Sequence, residues 1–331
     1  MKYLDPKADL TFKKVFGEHP DLVISLLNAL LPFETEDEKI VSVEYLPAEL
    51  FPETPLKKNS IVDVRCRDVA GRIFIVEMQM IWSPAFMSRV LFNASKAYVR
   101  QLGSGNDYNL LQPVYSLNLV NDVYMPEVEG YYHDYRIVHM EHSEKVIEGL
   151  RFVFVELPKF KPQTFSEKKM HVLWLRYLTE IGETTYNVPQ DLMSVPEIKK
   201  AVGQLEQGAF NEAQLQGYDD FWDAVRVERT LMTDALREGH ARGHEMGLAE
   251  GRAEGRAEGL EEGRAEGLEE GRAEGRAEGR AEGLEEGRAK GLEEGRAEER
   301  LEIARNLKKS GVPVAIIAQT TGLGEDEINA L

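Results

Sequence analysis

Apolar and polar positions change their period several times along the first 125 residues, and each change predicts an element. Residues 20–31 repeat apolar side chains at helical spacing behind a proline suited to a first helical turn. Residues 60–80 carry two runs rich in β-branched side chains on either side of a glycine, which predicts a hairpin. A helical pattern over 85–102 and an apolar run over 110–120 follow, and that run is typical of a buried strand. Helix, strands, helix and strand in this order predict an α/β fold.

The pattern continues beyond this core into three further parts. Residues 126–236 hold one strand-like run and two helical patterns, and we expect them to complete the first domain. Residues 237–299 form a repeat spacer and residues 300–331 a small module of three short helices. The predicted division is therefore 1–125, 126–236, 237–299 and 300–331. The last module holds as many basic as acidic side chains, which favours protein contact over reading DNA as a helix-turn-helix.

Glycine recurs at every fourth position from Gly239 to Gly295, fifteen times in all. Each one costs a helix about 0.8–1 kcal/mol relative to alanine, so the repeat carries a penalty on the order of 12–15 kcal/mol. The intervening residues are good helix formers, and we expect a helix that depends on a partner, with a disordered linker as the alternative. Leucines at intervals of eight or sixteen residues would support association with a second copy of the tail (Leu260, Leu268, Leu284 and Leu292).

The hairpin over 60–80 carries a pair of acids. If it turns about Ala70, facing residues have numbers that sum to 140, and Asp63 faces Glu77 across the sheet. Facing side chains lie roughly 5 Å apart at Cβ, so the two carboxylates repel each other, and their apolar neighbours strengthen the repulsion. Either one carboxyl is protonated or a divalent cation lies between them. A sheet with one solvated face is the ordinary alternative, but β-branched residues on both faces disfavour it.

The composition of the chain limits the kinds of partner and the cellular compartment that we expect for it. The formal net charge of −18 argues against a protein that coats nucleic acid by bulk electrostatics. Residues 54–100 nevertheless hold eight basic side chains against three acidic ones, a local complement to a polyanion. The single cysteine, Cys66, excludes an intramolecular disulfide and suits a reducing compartment. With no apolar run of membrane-spanning length and a charged N-terminus, we expect a cytoplasmic protein without membrane contact.

The spacing of the two acids carries a family resemblance. Asp63, thirteen further residues and the sequence EMQ at 77–79 resemble the core of PD-(D/E)XK nucleases. DLTFKKVFG at 9–17, the segment 88–120 and the C-terminal residues are similar to the recombination-promoting nuclease and transposase family of that superfamily. The resemblance implies a restriction-endonuclease-like α/β core, with a mixed sheet flanked by helices. A long helical or flexible repeat tail and a small helical module would follow it.

The same resemblance implies roles for individual residues. Asp63 and Glu77 would ligate Mg²⁺, for which Mn²⁺ could substitute, with the carbonyl of Met78 as a third ligand. Gln79 stands where the motif has lysine; it can orient the attacking water but carries no positive charge. Asp9 matches an acidic position of the family near the site, although a helix cap explains it equally well.

Three basic residues, Arg65, Arg89 and Lys96, are expected to contact the substrate phosphates. The sequence thus predicts a Mg²⁺-dependent DNA endonuclease linked to recombination or mobile elements, forming homo-oligomers through its tail. One alternative is an inactive nuclease fold that works through tail-mediated assembly. Another is a nuclease that acts on RNA.

Overall fold

The computed structural model describes residues 2–50, 60–103, 105–162 and 169–331. Lys57 and Lys58, two basic residues of the segment 54–100, lie outside these ranges. The chain divides into two compact units, Met1–Ala235 and Leu236–Leu331. The four-part division made from the sequence stays a prediction.

A mixed sheet forms the centre of the first unit. Its strands and those of a small two-stranded sheet are β1 (Val43–Tyr45), β2 (Glu49–Leu50), β3 (Ser60–Ile61), β4 (Val64–Asp68), β5 (Ile73–Gln79), β6 (Val114–Val120), β7 (Tyr132–His139) and β8 (His142–Glu156). The large sheet has the order β1-β4-β5-β6-β8-β7, and β2 pairs with β3. β5, β6 and β8 are parallel, whereas β1, β4 and β7 join their neighbours in antiparallel fashion. This arrangement confirms the predicted α/β fold with a mixed sheet.

Helices precede, connect and follow the strands. They are α1 (Asp9–Phe12), α2 (Pro20–Leu30), α3 (Pro84–Val99), α4 (Met170–Glu180), α5 (Gln190–Met193), α6 (Pro196–Gly203), α7 (Glu212–Lys309), α8 (Val314–Thr321) and α9 (Glu325–Ala330). A π-helical segment, Lys13–Gly17, follows α1 directly. α3 connects the parallel strands β5 and β6, which need a crossover of this kind. α7 includes the whole glycine repeat, so the repeat is helical here.

The hairpin of β4 and β5 has the register that the sequence predicts. Each pair in the ladder, from Val64 with Val76 to Arg67 with Ile73, has numbers that sum to 140. The turn contains Gly71 at φ +86°, a left-handed conformation that glycine adopts without strain. The ladder stops at Val64, the residue that follows Asp63. Asp63 therefore lies just outside β4 and is not the ladder partner of Glu77 that the sequence predicted.

The two faces of β5 pack against different helices. Phe74 and Val76 lie in the main core with α2, α4 and α6. Ile73 and Ile75 pack on the opposite face against Ala94 of α3 and its neighbours. Because side chains alternate along a strand, Glu77 falls on the α3 face.

Several local expectations need correction. Asp9 is not a helix cap: Ala8 occupies the N-cap position without a side-chain hydrogen bond, and Asp9 lies in the first turn. The apolar pattern of residues 39–50 favours a single strand, but the structure divides them between two short strands, β1 and β2. β7 was not predicted from the sequence, because most of its residues are exposed and it lies at the sheet edge.

The end of the second unit has a small core of its own. Ala304, Ile317 and Ile328 are fully buried there, at the end of α7, in α8 and in α9. The first of the three predicted short helices is therefore the last part of the long helix α7. Gly322 takes a left-handed conformation at the end of α8 and lets the chain turn into α9. Among the helices of the described residues, none combines the length and apolar content that crossing a bilayer requires.

Candidate active site

The two predicted carboxylates line one cavity at the end of the hairpin. The cavity has a volume of about 870 Å³, and Asp63, Glu77, Met78 and Arg89 contribute to its wall. Apolar side chains of α3 and of β3 also line it (Phe86, Phe92 and Ile61), together with Ser83, Ala85 and Ser88. The structure therefore brings together both members of the predicted acidic pair and one of the predicted basic residues.

Asp63 is fixed by the backbone of the neighbouring strand. Its Oδ2 accepts a hydrogen bond from the N–H of Met78 at 2.7 Å. Burial raises the pKa of Asp63 to about 6; the charges of Glu77 and Asp9 add to this rise, while the Met78 N–H opposes it. Asp63 can therefore exchange a proton near neutral pH, or remain ionised when a cation compensates its charge.

Glu77 is a buried acid held from α3. Its side chain is almost inaccessible, and Nδ2 of Asn93 donates a hydrogen bond to Oε1 at 3.0 Å. A nitrogen of Arg89 lies 3.5 Å from Oε2. Burial raises the pKa of Glu77, whereas the Asn93 hydrogen bond and the Arg89 charge lower it. Two side chains one helical turn apart thus hold this carboxyl group in a single orientation.

Gln79 uses both ends of its amide. Nε2 donates to the carbonyl of Ile81 at 2.6 Å, and Oε1 accepts from Arg89 at 2.7 Å. One N–H of Nε2 remains for a water molecule. The predicted role of Gln79 in orienting water stays a prediction.

The other two predicted basic residues, Lys96 and Arg65, are not among the residues that line the cavity. Lys96 places Nζ 5.6 Å from the ring centre of Phe92, which lines the cavity. Arg65 faces the same side of the sheet as Glu77 and donates a long hydrogen bond of 3.4 Å to the carbonyl of Pro47. Their contacts with phosphate stay a prediction.

Asp9 lies near enough for its charge to raise the pKa of Asp63. Its own partner is Lys13, at 2.6 Å, one helical turn further along the chain. In the part of the chain that the structure describes, no three acidic, histidine or cysteine side chains come together as a metal site. Asp9 is therefore a neighbour of the acidic pair and does not complete a three-carboxylate cluster.

Sequence reasoning missed Asn93, the buried partner of Glu77. A signal was available, because Asn93 shares the buried face of α3 with Phe86, Val90 and Ala97. A polar side chain among buried apolar ones needs a hydrogen-bond partner. The sequence could not say which partner, since the packing of α3 on the sheet decides this.

The residues present fit a divalent cation with oxygen ligands. Mg²⁺ commonly takes one or two protein carboxylates and completes its shell with water and substrate phosphates. Asp63 and Glu77 supply two such carboxylates in one cavity, and Met78 lines the same wall. The raised pKa values of both acids indicate that ionising them together is unfavourable without such compensation.

Comparison with known families agrees with this geometry. A family model described as PD-(D/E)XK nuclease family transposase matches residues 6–230. Since the match covers well over half of the chain and all of the large sheet, the chain belongs to this family of nucleases linked to mobile elements. No match was found among curated proteins or among solved structures.

Proposed function

We propose that the chain is a Mg²⁺-dependent endonuclease that hydrolyses phosphodiester bonds in DNA, in processes of recombination or of mobile elements. The observation that carries the proposal is the placement of Asp63 and Glu77 in one cavity beside the cationic Arg89. Membership of the nuclease family supports the same reaction class.

A bound divalent cation would stabilise negative charge on the phosphate and lower the pKa of a coordinated water. Asp63 and Glu77 would hold it, and the Met78 N–H keeps the Asp63 carboxylate oriented. Asn93 does the same for Glu77. The remaining N–H of Gln79 would orient the attacking water. These residues therefore supply orientation and charge, on which phosphoryl chemistry largely depends.

The substrate would be held by cations around the cavity. Arg65, Arg89 and Lys96 are the predicted phosphate contacts. Arg89 lines the cavity, Lys96 lies against Phe92 of its wall, and Arg65 faces the same side of the sheet as Glu77. These contacts do not distinguish DNA from RNA, because both present the same phosphodiester backbone. We favour DNA because the family description links the fold to transposases.

A cleavage assay tests the proposal. Supercoiled plasmid and a labelled RNA of similar length are incubated with the full chain in Mg²⁺, in Mn²⁺ and in chelator. We expect plasmid nicking with either metal and none in chelator. Asp63→Asn and Glu77→Gln remove one charge each with little change of shape, and we expect both to lose nicking.

The matched control is Asp37→Asn, which removes an exposed acid from a 3₁₀ turn at Glu36–Glu38. Its nicking should equal that of the wild type. Cleavage of RNA alone would favour the RNA nuclease. Absence of any cleavage by the wild type would favour the inactive fold that works through assembly.

We also propose that the tail mediates self-association. The helical repeat carries four exposed leucines at intervals of eight or sixteen residues, apolar surface that a second copy could cover (Leu260, Leu268, Leu284 and Leu292). The second copy of this helix would supply the same residues in return.

A further inference from the structure

Position 79 leaves the nuclease motif without its positive charge. A phosphoryl transfer gains most from charges already aimed at the oxygens on which negative charge develops. Glutamine provides an N–H at this position but no charge. A side-chain positive charge at this point of the site would have to come from another element of the fold.

Arg89 lies where such a cation is needed. Its guanidinium donates to Gln79 Oε1 at 2.7 Å and lies 3.5 Å from Glu77 Oε2. It packs 4.9 Å from the ring centre of Phe86, and its side chain lines the 870 Å³ cavity. About half of that side chain is exposed, so it retains donors that can face a ligand in the cavity.

The geometry of α3 explains this placement. Arg89 and Asn93 are four residues apart, so they project from one face of the helix, and both contact the carboxyl group of Glu77. The guanidinium is thus oriented by Glu77, Gln79 and the Phe86 ring.

Other basic side chains near the site are held differently. Lys13 forms an ion pair with Asp9 at 2.6 Å. Lys96 lies against Phe92, and Arg65 reaches towards a backbone carbonyl. Within the described ranges, Arg89 is the basic residue that both lines the cavity and contacts Glu77 and Gln79.

We propose that Arg89 is a catalytic residue that supplies from α3 the positive charge missing at position 79, and that Gln79 holds it in place. This inference rests on the proposed nuclease function. In the reaction, the water oxygen bonds to phosphorus and the bond from phosphorus to the leaving sugar oxygen breaks. The water loses one proton to solvent, and the leaving oxygen takes one from solvent. Arg89 stabilises the negative charge on the phosphate oxygens between these events.

The test removes the positive charge of Arg89 from α3 and introduces one at position 79 of β5. Arg89→Met removes it, and we expect kcat for plasmid nicking to fall about 10²–10³-fold, as for other transition-state donors, with KM changed far less. Gln79→Lys restores a charge at the motif position. We expect the double variant Gln79→Lys with Arg89→Met to regain at least about tenfold in kcat over Arg89→Met alone.

Three further variants separate this role from general electrostatics. Lys200→Met removes a cation of α6 that pairs with Asp21 on the far side of the core, and its kinetics should equal the wild type. Lys96→Met should raise KM and weaken its salt dependence while kcat changes little. Arg89→Gln serves if the methionine variant fails to fold, with melting temperature as the check.

The outcomes are distinct. Active wild-type protein with an Arg89 variant of unchanged kcat, or with a loss confined to KM, overturns the inference and leaves the nuclease proposal intact. Failure of Gln79→Lys to rescue a folded Arg89 variant also overturns it. A wild type that cleaves nothing in Mg²⁺ or Mn²⁺ overturns the proposed function itself.

Discussion

At the scale of residues, the spacing of Asp63 and Glu77 in the sequence predicts that the two acids lie in one site, but it does not predict their hydrogen-bond partners. Side-chain alternation and the hairpin register predict Asp63 and Glu77 on one face. The ladder stops at Val64, one residue short of Asp63, yet both acids line one cavity. The partners of these acids could not be predicted in the same way. Asn93 and Arg89 reach Glu77 only because α3 packs on that face of the sheet.

The raised pKa of Asp63 predicts a pH-dependent stability. Aspartate in an unfolded chain has a pKa of about 3.9, whereas the pKa of Asp63 in the folded protein is about 6. Between these values the folded state binds more protons, so this residue's contribution to the free energy of unfolding falls as pH rises from 4 to 7. Asp63→Asn does not titrate and escapes this loss.

We therefore expect the free energy of unfolding of Asp63→Asn, relative to that of the wild type, to rise by on the order of 2 kcal/mol from pH 4 to pH 7 in chelator. Urea unfolding curves at several pH values measure it, and taking the difference cancels the other titrating groups. Asp37→Asn should give a nearly constant difference. A constant or falling difference for Asp63→Asn would contradict the burial of this carboxyl group.

At the scale of elements, helices and strands with a strong periodic pattern of apolar residues can be predicted from the sequence, whereas those with a weak pattern cannot. Apolar runs predict the β4–β5 hairpin and the parallel strand β6, and β5 and β6 are buried on both faces of the sheet. Apolar residues at helical spacing predict α3, which buries one face. The edge strand β7 has no such run, because few of its side chains are buried. The π-helical segment after α1 also lacks a signal, since it keeps the same apolar face as a helix.

Gly71 is the residue on which the hairpin depends most. Its φ of +86° would strain alanine, and an added Cβ would lie 3.1 Å from Cγ of Gln112. Gly105 has nearly the same φ, +87°, with nothing within 4 Å of an added Cβ. We expect Gly105→Ala to cost about 1 kcal/mol from backbone strain alone.

Gly71→Ala should cost more, about 2 kcal/mol, because the contact adds to the strain. Unfolding in urea measures both variants. The Gly71 variant should also nick plasmid more slowly, since the turn sets the register that presents Asp63 and Glu77. Equal costs for the two variants would show that Gln112 moves aside freely.

At the scale of the whole molecule, the glycine repeat and the nuclease core belong to different compact units. The chemistry proposed for the chain uses residues of the first unit alone. The exposed leucines of the second unit have no role in it, which leaves assembly as the role that we propose for the tail.

Replacing the four leucines of the repeat with glutamine tests this role (Leu260, Leu268, Leu284 and Leu292). We expect the molar mass in sedimentation equilibrium to fall towards that of a single chain, while plasmid nicking per active site persists. The matched control replaces four arginines at equivalent repeat positions with glutamine (Arg256, Arg272, Arg276 and Arg280). A molar mass that is unchanged by the leucine substitutions would exclude association through these four leucines.

The central claim is that Asp63 and Glu77 form a metal-dependent phosphodiesterase site. Nicking of supercoiled plasmid by the wild type, Asp63→Asn and Glu77→Gln, each with Mg²⁺ and with chelator, tests it most directly. We expect the wild type to nick plasmid in Mg²⁺, and we expect nicking to be lost in chelator and in both variants. Undiminished nicking by either folded variant, or by the wild type in chelator, would contradict it.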